Sequence, residues 1–131
     1  MVSEAVVRAQ FEPWNTPNPV PFLESLPENI KATVSGVINP CAGTYTSPAA
    51  CVEAFGTMAS RLGGPPESKI VNVVTAGDYA TIELTFKSVS KKGNVYDQIM
   101  CFVAKYEGET IREIRLYIDT AVEKAIFDEA E

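Results

Sequence analysis

At 131 residues the chain has room for one domain, which at this size buries roughly two thirds of the surface its unfolded form exposes, so a core forms without covalent staples. A formal net charge of −6, with Lys87, Lys91 and Lys92 as the one basic cluster, excludes nucleic acid as a partner, because phosphate binding needs clustered cations. Histidine is absent, which excludes Ser-His-Asp and Cys-His nucleophiles and nearly all transition-metal sites and leaves acid-base chemistry to Asp, Glu, Lys, Tyr or Cys.

Ser3 to Asn15 reads as a short helix with Ser3 as N-cap, ended or bent by Pro13. Pro17, Pro19, Pro21 and Pro27 leave room for about one helical turn around Phe22 and Leu23. Ile30 to Ile38 has the β-branched composition of a strand, and Asn39-Pro40 stops it. A loop from Cys41 to Thr46 leads to Ser47-Pro48, a capping residue followed by proline at the first helical position. The helix that starts there shares one apolar face among Cys51, Ala54, Phe55, Met58 and Leu62, and Gly63-Gly64-Pro65-Pro66 ends it. Four strands follow as a meander: Lys69 to Thr75, Tyr79 to Ser88, Val95 to Tyr106 and Thr110 to Asp119. Thr120 to Glu131 reads as a short acidic terminal helix. Long antiparallel strands twist, so one face becomes concave.

No apolar run approaches the ~20 residues that span a bilayer, so a membrane is not expected as a partner. The amino terminus shows neither a basic segment nor an apolar stretch, and the expected compartment is the cytoplasm. Cys41, Cys51 and Cys101 are expected to be free thiols. A glycine-rich phosphate loop is missing, since the Gly63-Gly64 pair ends a helix rather than starting one, and no cofactor or metal is expected. No internal repeat or linker divides residues 1–131, which are read as a single domain.

Three local motifs carry a resemblance: Ala76-Gly77-Asp78-Tyr79-Ala80 before a strand, Gly108-Glu109-Thr110-Ile111 in a turn, and Arg115-Leu116-Tyr117-Ile118-Asp119-Thr120-Ala121 at the end. With the element order they resemble the nuclear transport factor 2-like fold, in its SnoaL-like polyketide cyclase branch, over Ile30 to Ala125. The resemblance implies an α+β roll, a curved antiparallel sheet wrapped around helices to form a cone-shaped pocket. Members include cyclases, isomerases, dehydratases, an epoxide hydrolase and non-catalytic binding domains. The arginine and two aspartates of limonene epoxide hydrolase fall on Glu83, Thr85 and Leu116, so the epoxide-opening triad is not kept.

If the sheet meets its helices as the resemblance implies, Thr81, Glu83, Thr85 and Lys87 share the concave face with Tyr96, Gln98, Met100, Phe102, Ile114, Leu116 and Ile118. Glu83, mid-strand between Ile82 and Leu84, is then a candidate proton shuttle whose pKa an apolar cavity would raise. The alternative is that its strand face simply meets water. Tyr96 and Gln98 are candidates to polarise a substrate oxygen, and Met100, Phe102 and Thr85 to line the pocket with Ile114, Leu116 and Ile118. Trp14 and Tyr45 are candidates to cap its mouth, or else anchors for their loops. Asp119 is expected to cap the terminal helix.

The expected function is a cofactor-independent isomerase, cyclase or dehydratase acting on a hydrophobic, oxygenated intermediate of polyketide or terpenoid type by general acid-base catalysis. The alternatives are a non-catalytic binding or carrier module and an interaction domain with a filled interior. Ile82, Leu84, Phe86, Ile99, Cys101 and Val103 are expected on the convex face, where they would pair two copies as a homodimer.

Overall fold

The computed structural model describes residues 1–129. The first helix, α1 (Glu4–Phe11), begins where the Ser3 hydroxyl accepts the Val6 N–H at 3.2 Å, and it turns Val7 and Phe11 into the core. A 3₁₀ turn, Glu12–Asn15, follows around Pro13, which has no N–H to lose, and places Trp14 inside. The proline-rich stretch yields only α2 (Val20–Glu24), which buries Phe22 and Leu23. Next come β1 (Lys31–Val34) and β2 (Gly43–Tyr45), the latter within a segment that reads as a loop. The helix α3 (Pro48–Ala59) starts on Ser47, whose hydroxyl accepts the Ala50 N–H at 3.1 Å. The meander is β3 (Glu67–Ala76), β4 (Tyr79–Val89), β5 (Val95–Glu107) and β6 (Thr110–Tyr117), and α4 (Thr120–Phe127) closes it. The expected end of this last helix, Ala130 and Glu131, lies outside the described residues.

All six strands form one sheet in the order β2-β1-β6-β5-β4-β3. Neighbours are antiparallel except β1 and β6, which run parallel, so the sheet is mixed rather than wholly antiparallel. A parallel pair needs a long crossover, and here it contains α3 and the first three strands of the meander. Two hairpins turn in two residues, Gly77-Asp78 and Gly108-Glu109, whose glycines sit at φ 58° and 62°, where a Cβ would be strained.

Register decides which side chains face the helices. Across β4 and β5, Ile82 opposes Phe102, Leu84 opposes Met100 and Phe86 opposes Gln98, and directly opposed residues share a face. Ile82, Leu84 and Phe86 are fully buried inside, so they do not belong to the convex face. Thr81, Glu83, Thr85 and Lys87 consequently lie on the outside, opposite to the expected arrangement. The expectation holds on β5, where Tyr96, Gln98, Met100 and Phe102 alternate inward.

Aromatic rings lock the first segment onto this face. Phe11 stacks on Phe22 at 4.4 Å between centroids, and Phe102 meets Trp14 at 5.1 Å and Phe11 at 5.5 Å. Each such ring contributes ~1.5–3 kcal/mol by leaving water. Among the described residues no helix is long and apolar enough to cross a membrane.

Candidate active site

Between the inner sheet face and the overlying α2 and α3 lies an apolar cavity of about 100 Å³. Trp14 and Phe22 line it from the first segment, Phe55 and Met58 from α3, and Met100 and Phe102 from β5. Tyr45, Ile114, Leu116 and Ile118 complete the set of expected lining residues that the structure brings together. Thr85 is not among them: it lies on the outer face, beside a shallow groove with Ile99 and Tyr117. Glu83 is also outside, where its Oε1 accepts the Asn72 side-chain N–H at 2.9 Å. The proton shuttle assigned to Glu83 therefore has no access to the cavity.

The acid that does line the cavity is Glu123, 2% exposed on α4. Asp119 caps that helix by accepting the N–H groups of Ala121 and Val122 at 3.1 and 3.2 Å, which winds Glu123 back over the end of the sheet. Its Oε1 accepts the Tyr96 hydroxyl and, at 3.0 Å, the Gln98 amide N–H. The same amide donates to the Tyr96 oxygen at 2.9 Å, while Gln98 Oε1 accepts the Asp119 backbone N–H at 2.9 Å. This last bond fixes the orientation of the amide, because only its NH₂ side is then left for Glu123.

Glu123 Oε2 is differently placed. Its one protein donor among the described residues is the Cys41 thiol at 3.8 Å, a weak donor. Burial first, and then the charge of Glu123, push the Cys41 thiol up to about 12. Burial and then the same charge also raise Tyr96 well above the ordinary phenol. Both groups keep their protons near neutrality and serve as donors rather than nucleophiles.

Tyr96 and Gln98 do not line the cavity; they reach it only through Glu123, so neither is placed to polarise a ligand oxygen directly. Tyr45 donates its hydroxyl to the Cys41 carbonyl at 2.7 Å and so ties the loop that carries the thiol. Burial raises the Tyr45 phenol as well. Trp14, 2% exposed, has an indole N–H that finds no acceptor among the described residues. The described residues include no group of three or more Cys, Asp or Glu arranged to hold a metal ion.

Glu123 left a signal in the sequence. It stands three residues before Ile126, on a helical turn where both point the same way, and both are buried. An acid on the apolar stripe of a helix is the mark of a paired interior group, whereas the acidic composition of residues 120–131 suggests a solvated face.

No family model matches the chain, and no curated protein is similar enough to count as a match. Solved structures do match. A nuclear transport factor 2-like protein from Burkholderia thailandensis is 17% identical, with a TM-score of 0.79, 95% of this chain and 96% of that one covered. A protein of unknown function with a cystatin-like fold from Xanthomonas campestris is 20% identical, with a TM-score of 0.78 over 98% of this chain and all of the other. A protein assigned as a SnoaL-like polyketide cyclase, from Jannaschia, is 12% identical, with a TM-score of 0.74 over 96% and 92%. The mixed sheet wrapped around its helices and these likenesses agree, and the chain has the nuclear transport factor 2-like, cystatin-like α+β fold.

Proposed function

We propose that the cavity is the site of cofactor-independent acid-base chemistry, isomerase or cyclase in type, on a hydrophobic oxygenated molecule, with Glu123 as the group that moves the proton. The supporting observation is the asymmetry of its carboxylate. Oε1 is held by two strong donors, while Oε2, on a residue of the cavity wall, meets only a thiol among the described residues.

In the proposed step Oε2 removes a proton from carbon next to a carbonyl. The C–H electron pair moves into the C–C bond and the carbonyl electrons move onto oxygen, giving an enolate and a protonated Glu123. In a β,γ-unsaturated ketone, return of that proton to the γ carbon re-forms the carbonyl and moves the C=C into conjugation, which isomerises the molecule. In a molecule with a second carbonyl, attack of the enolate carbon on it closes a ring, and the alkoxide so formed takes the proton back from Glu123. A positioned base of this kind contributes about 10²–10⁴-fold. Walls of Phe22, Phe55, Met58 and Phe102 keep water away from the carboxylate and hold the molecule against it. Tyr96 and Gln98 act as positioning residues, since their hydrogen bonds fix Oε1 and so aim Oε2. The cyclase name carried by one protein of this fold is compatible with the reading, which rests on Glu123 rather than on it.

Deuterium uptake beside the carbonyl of one-ring and three-ring ketones in D₂O, followed by NMR, tests the proposal. The native protein is expected to accelerate uptake in at least one ketone, and Glu123→Gln to lose that acceleration about 100-fold or more while still binding it. Equal uptake by the two proteins, with binding intact, would instead support a carrier.

A further inference from the structure

The cavity is small, and one residue of its wall carries a buried polar group without a partner among the described residues. Apolar pockets for drug-sized ligands run to about 300–1,000 Å³, whereas an enclosed apolar cavity of about 150 Å³ holds one benzene. At about 100 Å³ this cavity is on the scale of a single ring. Aromatic side chains set that limit: Trp14 packs at 5.1 Å on Phe102 and at 6.1 Å on Phe22 and Phe55, all on the cavity wall.

Two of the polar groups of the wall are bonded within the protein. The Tyr45 hydroxyl donates to the Cys41 carbonyl and the Cys41 thiol to Glu123. Trp14 is different, because its indole N–H is buried without an acceptor, a condition that native interiors rarely leave in place. Ser68, the other buried group without a partner, is not on this wall.

We infer that the cavity selects a compact one-ring molecule that offers a hydrogen-bond acceptor, such as a carbonyl oxygen, to the Trp14 indole N–H. The inference rests on the reading of the cavity as the ligand site and narrows the substrate class from any hydrophobic oxygenated molecule. An acceptor at Trp14 satisfies the buried N–H that a residue of this wall leaves open among the described residues, and Oε2 of Glu123 remains for an acidic hydrogen. The rest of the molecule meets carbon.

Trp14 is the sole tryptophan, so its indole N–H gives one unambiguous resonance in ¹⁵N-labelled protein. The probes are 4-hydroxyacetophenone, 4-ethylphenol, which lacks the carbonyl, and anthraquinone, which has three rings. The ketone is expected to move the indole proton downfield and slow its exchange with solvent. It should also bind about three- to tenfold more tightly than 4-ethylphenol, a difference that Trp14→Phe removes. Anthraquinone is expected not to bind. Equal affinity for ketone and ethylphenol with an unmoved indole proton would overturn the inference, and so would preferential binding of anthraquinone. Either result leaves proton transfer by Glu123 standing if Glu123→Gln still abolishes deuterium uptake. Should no probe disturb the methyl resonances of Met58 and Met100, both readings fail together. The indole resonance of the native protein decides the matter even if Trp14→Phe does not fold.

Discussion

Gln98 joins two parts of the molecule through one amide: its oxygen takes the backbone N–H of Asp119, and its nitrogen serves Tyr96 and Glu123. Removing the Tyr96 hydroxyl takes away a charge-assisted hydrogen bond and leaves Oε1 short of a donor. Tyr96→Phe is expected to cost about 1.5–3 kcal/mol, read as a lower urea midpoint, and to slow deuterium uptake without weakening ketone binding. Alkaline pH probes the same cluster. The folded pKa values of Cys41 and Tyr96 lie above the ordinary 9.0 and 10.0. Below about pH 9 these groups are protonated in both folded and unfolded chains, and their contribution is fully present. Above it the unfolded chain loses its protons first, so stability falls as pH rises from about 9 through the Cys41 value of about 12. Urea midpoints measured across that window should decline, less steeply in Cys41→Ala; a flat profile would contradict the placement of these groups. Alternation in β5 made Tyr96 and Gln98 legible as residues of one face, and the resemblance supplied that this face points inward. Their partner was not legible, because Glu123 stands in sequence just before Asp128, Glu129 and Glu131, and the whole segment 120–131 reads as an acidic, solvated tail.

At the scale of elements, α4 is held by its cap. Asp119→Ala removes the acceptor for two helix N–H groups and a favourable charge at the helix start, and is expected to cost about 1 kcal/mol. Thermal unfolding would register the loss, and deuterium uptake would fall with it because Glu123 loses its alignment. Caps and turns were readable throughout: Ser3, Ser47 and Asp119 all accept the helix N–H groups their positions imply. In β4 the two alternating sets were equally plain. The register, Leu84 opposite Met100, places the Ile82, Leu84 and Phe86 set on the same face as the inward residues of β5. The apolar content of Ile82, Leu84 and Phe86 pointed inward on its own, and following the resemblance instead reversed it. The three residues of β2 escaped notice because so short a strand, opened by Gly43, has no period to detect.

For the whole molecule, the outer sheet face carries fewer apolar side chains than expected once Ile82, Leu84 and Phe86 are inside. What remains includes Ile99, 67% exposed, with Val74, Tyr117 and the partly buried Cys101 and Val103. A second copy of the chain is the proposed occupant of this face, since Ile99 lies in its middle with Thr85 beside it in register. Sedimentation should give a dimer that Ile99→Glu converts to monomer without loss of fold; a native monomer at high concentration would refute the pairing. The account as a whole depends on a ligand inside the cavity meeting the Glu123 carboxylate. Carbon-13 NMR of the Glu123 carboxyl, identified by its absence in Glu123→Gln, measures this during titration with 4-hydroxyacetophenone. The account predicts that the carboxyl resonance shifts and saturates together with the methyl groups of Met58 and Met100. Saturation of both methyls while the carboxyl stays unmoved would contradict it.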